Sequence, residues 1–184
     1  MSKPLEEHQQ ALAQLSAHAF ADDPITSWIY ESLSDRTQLL AQGFQFAFME
    51  GISNDTALAA FIDDTVVGAA LWHEHTHVDK KVIPDSPFTQ RLQAVEEATN
   101  ARHPMFNHLY VPVVAVHREH HRQGIGGTLI SAILAVSDVQ KKPVYLEASS
   151  HENRSFYQRY GFRNHGNPII IEKHGPVLYP MLYS

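Results

Sequence analysis

One segment decides the fold of this chain, the run VAVHREHHRQGIGGTL at residues 114–129. Its first residues end a dense apolar stretch, Leu109–Val116, which predicts a strand buried on both faces. Three glycines follow within residues 124–127, and an apolar helical pattern, Ile125 to Ser137, begins among them. The segment therefore predicts a buried strand, a glycine turn and a helix in direct succession.

The glycine turn predicts an anion site. Glycine lets backbone N–H groups gather around one point without interference from Cβ atoms. The first turn of a helix adds four unpaired N–H donors and a partial positive charge of about +0.5. Arg122 places a fixed positive charge beside the turn. A glycine turn that serves only tight strand-to-helix packing is the alternative, but the all-apolar strand before it favours a phosphate or pyrophosphate ligand.

The turn lacks residues that two known phosphate-binding motifs require. A P-loop requires a lysine after its last glycine, and Gly127 is followed by Thr128. A dinucleotide fingerprint requires glycine at the sixth position from Gly124, where Leu129 stands. Glu147 nevertheless follows near the position of the ribose-binding acid, so the dinucleotide alternative stays open at this point.

The composition of the whole chain excludes several classes. With 14 basic and 20 acidic residues among 184, the net charge of −6 argues against a phosphate-backbone binder. We find no run of about 18 apolar residues and no signal-peptide pattern, so we expect neither a membrane span nor export. The absence of cysteine removes disulfides, thiolate metal ligands and a cysteine nucleophile. We expect one cytoplasmic domain over residues 1–184, without nucleic-acid or membrane partners.

Patterns on both sides of the glycine turn predict a mixed α/β domain. Strand patterns with turn residues between them predict hairpins at Thr56–Ile62 with Thr65–Trp72, and at Pro168–Glu172 with Val177–Leu182. The other predicted elements are helices over Leu5–Phe20, from Ser34 or Asp35 to Phe48, over Phe88–Asn100 and over Asn153–Tyr160 closed by Gly161, and a strand over Pro143–Ala148.

Two linked motifs point to a known family. The first is HRQGIG at residues 121–126, and the second is NRSFYQRYGF at residues 153–162, one helix and one strand further on. Together they resemble the GNAT superfamily of N-acetyltransferases, with His121 standing where the family has Gln or Arg. This resemblance implies a central mixed, mostly antiparallel sheet of about seven strands with flanking helices and a splayed parallel pair. It also implies acetyl-CoA as the acyl donor.

The same resemblance assigns roles to individual residues. It implies that acetyl-CoA lies between the strand ending at Val116 and the strand Val144–Ala148. Tyr157 is implied as general acid, and Glu147, at the end of a strand, is a candidate base. Tyr157 could instead belong to the apolar face of its helix, and Glu147 could be a solvated strand-end carboxylate. The implied cofactor-binding residues are Val114, Val116, His121, Arg122, Gln123, Gly124, Ile125, Gly126, Gly127 and Asn153, the last of which could instead cap its helix.

The expected activity is acetyl transfer to a primary amine, on a small molecule or a peptide, by direct attack in a ternary complex. The alternatives are a catalytically silent acyl-CoA-binding module of the same fold and a dinucleotide-binding oxidoreductase. A homodimer is possible. His73, His75 and His77 alternate and could in principle bind zinc. We interpret them as a polar strand end or loop, and we expect no metal site.

Overall fold

The computed structural model describes residues 2–31, 34–75, 86–172 and 175–184. His77 and the turn residue His174 lie outside these ranges. The helices are α1 (Gln9–Phe20), α2 (Pro24–Ile29), α3 (Arg36–Ser53), α4 (Pro87–Asn100), α5 (Ile125–Gln140) and α6 (His151–Gln158). The strands are β1 (Ala57–Ile62), β2 (Thr65–Glu74), β3 (Leu109–Val116), β4 (Val144–Ala148), β5 (Arg163–Asn164), β6 (Ile169–Ile170) and β7 (Val177–Tyr183).

The strands form a seven-stranded, mostly antiparallel sheet in the order β1-β2-β3-β4-β7-β5, with β6 paired to β7. β3 and β4 form the parallel pair, and their ladder consists of Leu109↔Val144 and Tyr110↔Tyr145, although β4 continues for three more residues. Both hairpins are confirmed, because β1 pairs antiparallel with β2 and β6 with β7. None of the helices in the described ranges is long and apolar enough to cross a membrane.

The chain folds as two compact units, and the first contains residues 2–22, 34–73 and 111–141. It comprises α1, α3 and α5 with β1, most of β2 and residues 111–116 of β3. Its core brings together apolar side chains from α1, α3 and the three strands. They are Leu12, Leu15, Phe48, Ala57, Ala59, Ala69, Leu71, Val113 and Ala115. The amphipathic patterns of α1 and α3 follow from this, since each helix turns one apolar face to the sheet.

The prediction that β3 is buried on both faces is wrong. Leu109, Val111, Val113 and Ala115 are buried, whereas the alternate residues are half-buried or, at Pro112, exposed. Successive side chains of a strand point to opposite faces, so the apolar run covers one packed face and one partly open face. Val114 and Val116 both lie on the more open face.

The second unit contains residues 23–31, 74–110 and 142–184, as far as these are described. Ile169, Ile171 and Leu178 form its core, against which apolar residues of α2 and α4 pack. The Arg91 guanidinium of α4 ties the two helices together by donating to the Trp28 carbonyl oxygen and to Glu31. This unit carries Glu147, Asn153 and Tyr157.

Gly68 of β2 lets α5 approach the sheet of the first unit. A Cβ there would lie 2.8 Å from Ile125 Cγ2 and 3.2 Å from both Ala60 Cβ and Leu129 Cδ1. We expect Gly68→Val to lower the free energy of unfolding by about 1–3 kcal/mol, as overpacking does. Urea unfolding measures it, with Gly43→Val as control, because a Cβ at Gly43 meets nothing within 4 Å. Equal stabilities of the two variants would contradict this packing role.

Candidate active site

The turn after β3 leads directly into a helix. A short 3₁₀ turn, Arg118–His120, leads to Arg122 at φ 62° and to Gly124 at φ 84°, after which α5 begins at Ile125. Gly124 is the N-cap residue, and none of the side chains in the described part of the chain caps the first turn. The first N–H groups of a 16-residue helix therefore remain available to a ligand. This is the predicted strand, turn and helix.

The neighbouring side chains bond within the turn. Gln123 Nε2 donates to the Glu119 carbonyl oxygen at 3.2 Å, and His121 Nε2 lies 3.0 Å from the Val116 carbonyl oxygen. Since a carbonyl only accepts, His121 donates that proton. The Val116 carbonyl thus has a protein partner, and His121 is oriented toward the end of β3. Arg122 is exposed beside the helix start.

In the second unit, α6 carries Asn153 and Tyr157. Ser150 caps this helix by accepting from the Asn153 N–H at 3.1 Å, so the alternative that Asn153 caps it is wrong. The Asn153 amide instead donates to Ser149 Oγ at 3.2 Å. Gly161, at φ 90°, closes the helix as predicted, because Phe162 N–H bonds the Tyr157 carbonyl oxygen in a Schellman arrangement.

Tyr157 is partly enclosed by aromatic rings. Its ring centroid lies 5.0 Å from that of Phe156 and 5.6 Å from that of Phe162. Burial raises the pKa of the Tyr157 phenol well above its usual range, so the hydroxyl stays protonated at neutral pH. It is therefore a hydrogen-bond donor, although giving up its proton costs more than for an exposed tyrosine.

Glu147 is a buried carboxyl group near the end of β4. Its side chain is only 5% exposed, and its Oε1 atom has no hydrogen-bond partner among the residues that the structure describes. Burial raises the pKa of Glu147 from 4.5 to about 7, and the nearby phenols of Tyr110 and Tyr145 lower it by less. The alternative of a solvated strand-end carboxylate is therefore wrong. A carboxyl group that titrates near neutral pH can accept a proton there.

Glu147 lies beside a cluster of histidine and tyrosine side chains that contact one another. We call it the histidine–tyrosine cluster: His75, His103, His108, Tyr110 and Tyr145. His103 Nε2 lies 3.7 Å from Glu147 Oε1. The His103 ring packs against Tyr145 and Tyr110, with centroids 4.6 and 4.7 Å apart. Burial raises the pKa of both phenols, and the negative charge of Glu147 adds to this. Both tyrosines consequently remain protonated beside the carboxyl group.

The three histidines of this cluster lie close together, but two of their rings are stacked. His75, His103 and His108 each offer a nitrogen within 4.8 Å of the others. The His75 and His103 rings, however, are stacked with centroids 3.8 Å apart and an interplanar angle of 13°. Imidazole lone pairs lie in the ring plane, so stacked rings direct them along parallel lines rather than to a common ion. His73 lies at the exposed end of β2, as expected, whereas His75 is half-buried.

Sequence comparison decides the family. The family model described as "Acetyltransferase (GNAT) domain" matches residues 53–164, more than half of the chain. The chain belongs to the GNAT acetyltransferase family. The matched residues include the α5 turn, Glu147 and Tyr157, so these features belong to the GNAT domain itself. No curated protein sequence matches the chain significantly.

Solved structures show the same GNAT fold over nearly the whole chain. A histone acetyltransferase HPA2 and related acetyltransferase from Corynebacterium glutamicum is 22% identical, with a TM-score of 0.72 over 98% of this chain and 93% of that one. Arylalkylamine N-acetyltransferase 2 from Aedes aegypti is 13% identical, with a TM-score of 0.74 over 99% and 96%. PaiA N-acetyltransferase from Thermoplasma acidophilum, solved with coenzyme A, is 14% identical, with 0.58 over 99% and 97%.

The cluster around Glu147 was missed by the sequence analysis of this GNAT chain, although a signal for part of it exists. His108 and Tyr110 are two residues apart, as are Tyr145 and Glu147, and alternate residues of a strand share a face. The pairing Tyr110↔Tyr145 brings those two faces together. His103 carries no comparable signal, because it lies in a loop after α4.

Proposed function

We propose that this GNAT protein transfers an acetyl group from acetyl-CoA to a primary amine by direct attack in a ternary complex. The observation that carries the proposal is the buried Glu147 carboxyl group, whose pKa burial raises to about 7 and whose Oε1 atom lacks a hydrogen-bond partner within the described ranges. A silent binding module has no use for such a group, because an unsatisfied buried oxygen costs about 1–3 kcal/mol. An acyltransferase needs a base of this kind.

The residues of the first unit fit a pyrophosphate. No described side chain caps the first-turn N–H groups of α5, and a Cβ at Gly124 would enter open space, so backbone can approach a ligand closely there. We propose that Gly124, Ile125, Gly126 and Gly127 hold the pyrophosphate through backbone N–H groups, with Arg122 adding charge. When bound, acetyl-CoA supplies an activated acyl thioester.

The proposed binding set has further members at the end of β3 and on α6. Val114 and Val116 would offer backbone groups to the pantetheine arm. At Val116 this is the N–H alone, because His121 bonds the Val116 carbonyl oxygen. His121 and Gln123 support the turn from within. Asn153 would reach the donor by leaving its bond to Ser149.

Glu147 is proposed as the base. A primary amine is protonated at neutral pH and has no lone pair for attack until it loses a proton. A carboxylate that accepts near pH 7 removes that proton without holding it too tightly. The chain contains no cysteine that could form an acyl-cysteine intermediate, and direct attack of the amine on the thioester is the simpler route.

Tyr157 is proposed as the acid that protonates the departing sulfur. An ordinary phenol has a pKa near 10 and a thiol one near 8.5, so donation to a free thiolate is uphill by about 2 kcal/mol. Burial raises the pKa of Tyr157 further. The same desolvation raises the pKa of a thiolate held beside it, so the gap between donor and acceptor changes less than either value.

The experiment combines binding with turnover. Thermal shift is measured with acetyl-CoA, CoA, NAD and ATP, and thiol release is then followed with phenylethylamine, spermidine and a lysine-containing histone-tail peptide. We expect stabilisation by the two CoA species only, and amine-dependent thiol release with at least one acceptor. Stabilisation by CoA without thiol release above background hydrolysis would instead support the silent module, and stabilisation by NAD alone would support the oxidoreductase.

Gly124→Ala tests the proposed pyrophosphate site. An L-residue at φ 84° costs about 1–2 kcal/mol, and the new methyl group occupies the open space where backbone would meet the ligand. We expect at least a tenfold rise in the Kd of CoA, measured by calorimetry, with a small loss of thermal stability. Gly43→Ala, on an exposed face of α3, should leave the Kd unchanged. Unchanged affinity in Gly124→Ala would remove the turn from the binding site.

Some expectations remain predictions of the sequence alone. They are the single domain, the cytoplasmic location, the homodimer and the absence of nucleic-acid and membrane partners. The amine acceptor is proposed only as a class.

A further inference from the structure

The tautomers of two buried histidines follow from their hydrogen bonds. His108 Nδ1 lies 2.8 Å from the Phe106 carbonyl oxygen, which only accepts, so Nδ1 carries the proton. Neutral His108 therefore has its lone pair at Nε2, and this atom lies 2.9 Å from His103 Nδ1. His103 Nδ1 must then donate. The lone pair of neutral His103 is consequently at Nε2, the nitrogen that lies 3.7 Å from Glu147 Oε1.

The burial of these side chains limits the paths that a proton on Glu147 can take. His108 is fully buried, His103 is 7% exposed, and the Glu147 side chain is 5% exposed. Solvent has little access to the space between Nε2 and Oε1, so a proton taken up by Glu147 meets an imidazole lone pair before it meets bulk water. A separation of 3.7 Å exceeds hydrogen-bond length, and a side-chain movement of about 1 Å would close it.

We propose that His103 acts through Glu147 as a positioning residue that accepts, at Nε2, the proton which Glu147 removes from the amine. This rests on the proposed function. The ammonium N–H bond breaks as an O–H bond forms on Glu147; that O–H bond then breaks as an N–H bond forms on His103. Glu147 is again a carboxylate, and the His103 cation is stabilised by the His108 lone pair at its other nitrogen.

Proton balance explains why a second acceptor is useful. The nitrogen loses two protons in passing from ammonium to amide, and the departing sulfur gains one. With His103 holding the first proton, the regenerated Glu147 carboxylate accepts the second. One of these two protons balances the proton that Tyr157 gives to the sulfur, and the remaining proton is released to water after the product leaves. A lone carboxylate would have to reach solvent between the two transfers.

Other groups face the pair from each element packed against it. Tyr110 comes from β3 and Tyr145 from β4, and both stay neutral because burial raises their pKa. His75 stacks on the His103 ring. Arg102 acts on Tyr145 electrostatically, and His165 contacts the ring of Tyr145. Once Glu147 has given up the proton, its carboxylate faces the His103 cation with a negative charge at 3.7 Å.

The test compares His103→Gln with two substitutions at His108. A glutamine at residue 108 can still accept through its amide oxygen, whereas leucine cannot. We expect His103→Gln to lower kcat at least tenfold with KM for the amine within twofold, and to shift the pH profile of kcat. His108→Gln should retain more activity than His108→Leu. His18→Gln, an exposed site on α1, serves as control.

A second measurement needs neither turnover nor a variant. Nitrogen-15 NMR of histidine rings in the wild-type protein should show the Nδ1–H tautomer at both His103 and His108. An Nε2–H tautomer at His103, or a His103→Gln enzyme with wild-type kcat and pH profile, would overturn the inference. One equivalent of Zn²⁺ bound by wild type and lost in both His103→Gln and His108→Leu would also overturn it, as a metal site.

Failure of this inference is distinguishable from failure of the proposed function. If Glu147→Gln abolishes turnover while His103→Gln leaves it unchanged, Glu147 acts as base without His103. If Glu147→Gln itself retains full turnover, the assignment of the base is wrong, and the role of His103 goes with it.

Discussion

Glu147→Gln is expected to lower kcat of the amine-dependent reaction by about 10²–10⁴-fold, which is the usual contribution of a general base. The amide has nearly the shape of the carboxyl group but does not accept the amine's proton. In the wild type, kcat/KM should rise with pH and level off above a pKa of about 7, because only ionised Glu147 accepts a proton. The variant should lose this dependence. Steady-state thiol release from pH 5.5 to 9 measures both effects.

The same variant should be more stable than the wild type at alkaline pH. The folded pKa of Glu147 is raised above its ordinary value of 4.5, so the native state binds the proton more tightly and is stabilised at low pH. As the pH rises from 4.5 to 7, that contribution is lost, and ionisation of the buried group costs about 3 kcal/mol above pH 7. Glu147→Gln removes this cost, so its advantage in urea unfolding should appear at pH 8 and vanish near pH 4.

Glu152→Gln on α6 is the matched control, because Glu152 is exposed and the charge change is identical. It should alter neither kcat nor the pH dependence of stability. A Glu147→Gln protein that turns over at the wild-type rate would contradict the role as base. A Glu147→Gln protein with the same free energy of unfolding as the wild type at every pH would show that the carboxyl group is not held in a desolvated site.

Tyr157→Phe is expected to lower kcat by about 10–10³-fold with little change in the Kd of CoA, because it removes a proton donor and keeps the ring. The packing of the ring against Phe156 and Phe162 does not involve the hydroxyl, so thermal stability should be nearly unchanged. The rise of kcat/KM with pH should also persist, since it belongs to Glu147. Thiol release and calorimetry separate these quantities.

Tyr160→Phe provides the comparison within the same segment. Tyr160 packs on Phe156 with centroids 5.1 Å apart, and no catalytic role is proposed for it. Removal of its hydroxyl should leave kcat at the wild-type level. Equal losses of kcat in the two variants would indicate that this segment tolerates no change at either phenol. A Tyr157→Phe enzyme with the wild-type kcat would exclude Tyr157 as the acid.

The alternation of β3 illustrates why part of the fold could not be predicted. An unbroken apolar run such as Leu109–Val116 predicts burial on both faces, but apolar side chains also occupy a face that is only partly covered. Hydropathy alone does not say what lies against each face. The strand pattern at Thr65–Trp72 predicted the first hairpin correctly. The two turn residues before it, Asp63 and Asp64, both adopt the positive φ that a two-residue hairpin turn requires.

Local sequence by itself determined the turn and its helix. The conformation of Gly124, the start of α5 at Ile125 and its uncapped first turn depend on residues within a few positions of one another, so a pattern of glycines after a strand is enough to predict them. The Gly161 closure of α6 was predictable for the same reason.

Tertiary structure decided the chemistry at Glu147. Its burial and raised pKa depend on the pairing of Tyr110 with Tyr145 and on a loop that places His103 3.7 Å away. Those residues are distant in sequence, and no local pattern specifies that they meet. Desolvation is a property of everything packed around a group, so a strand-end glutamate can be solvated or buried with the same neighbours in sequence.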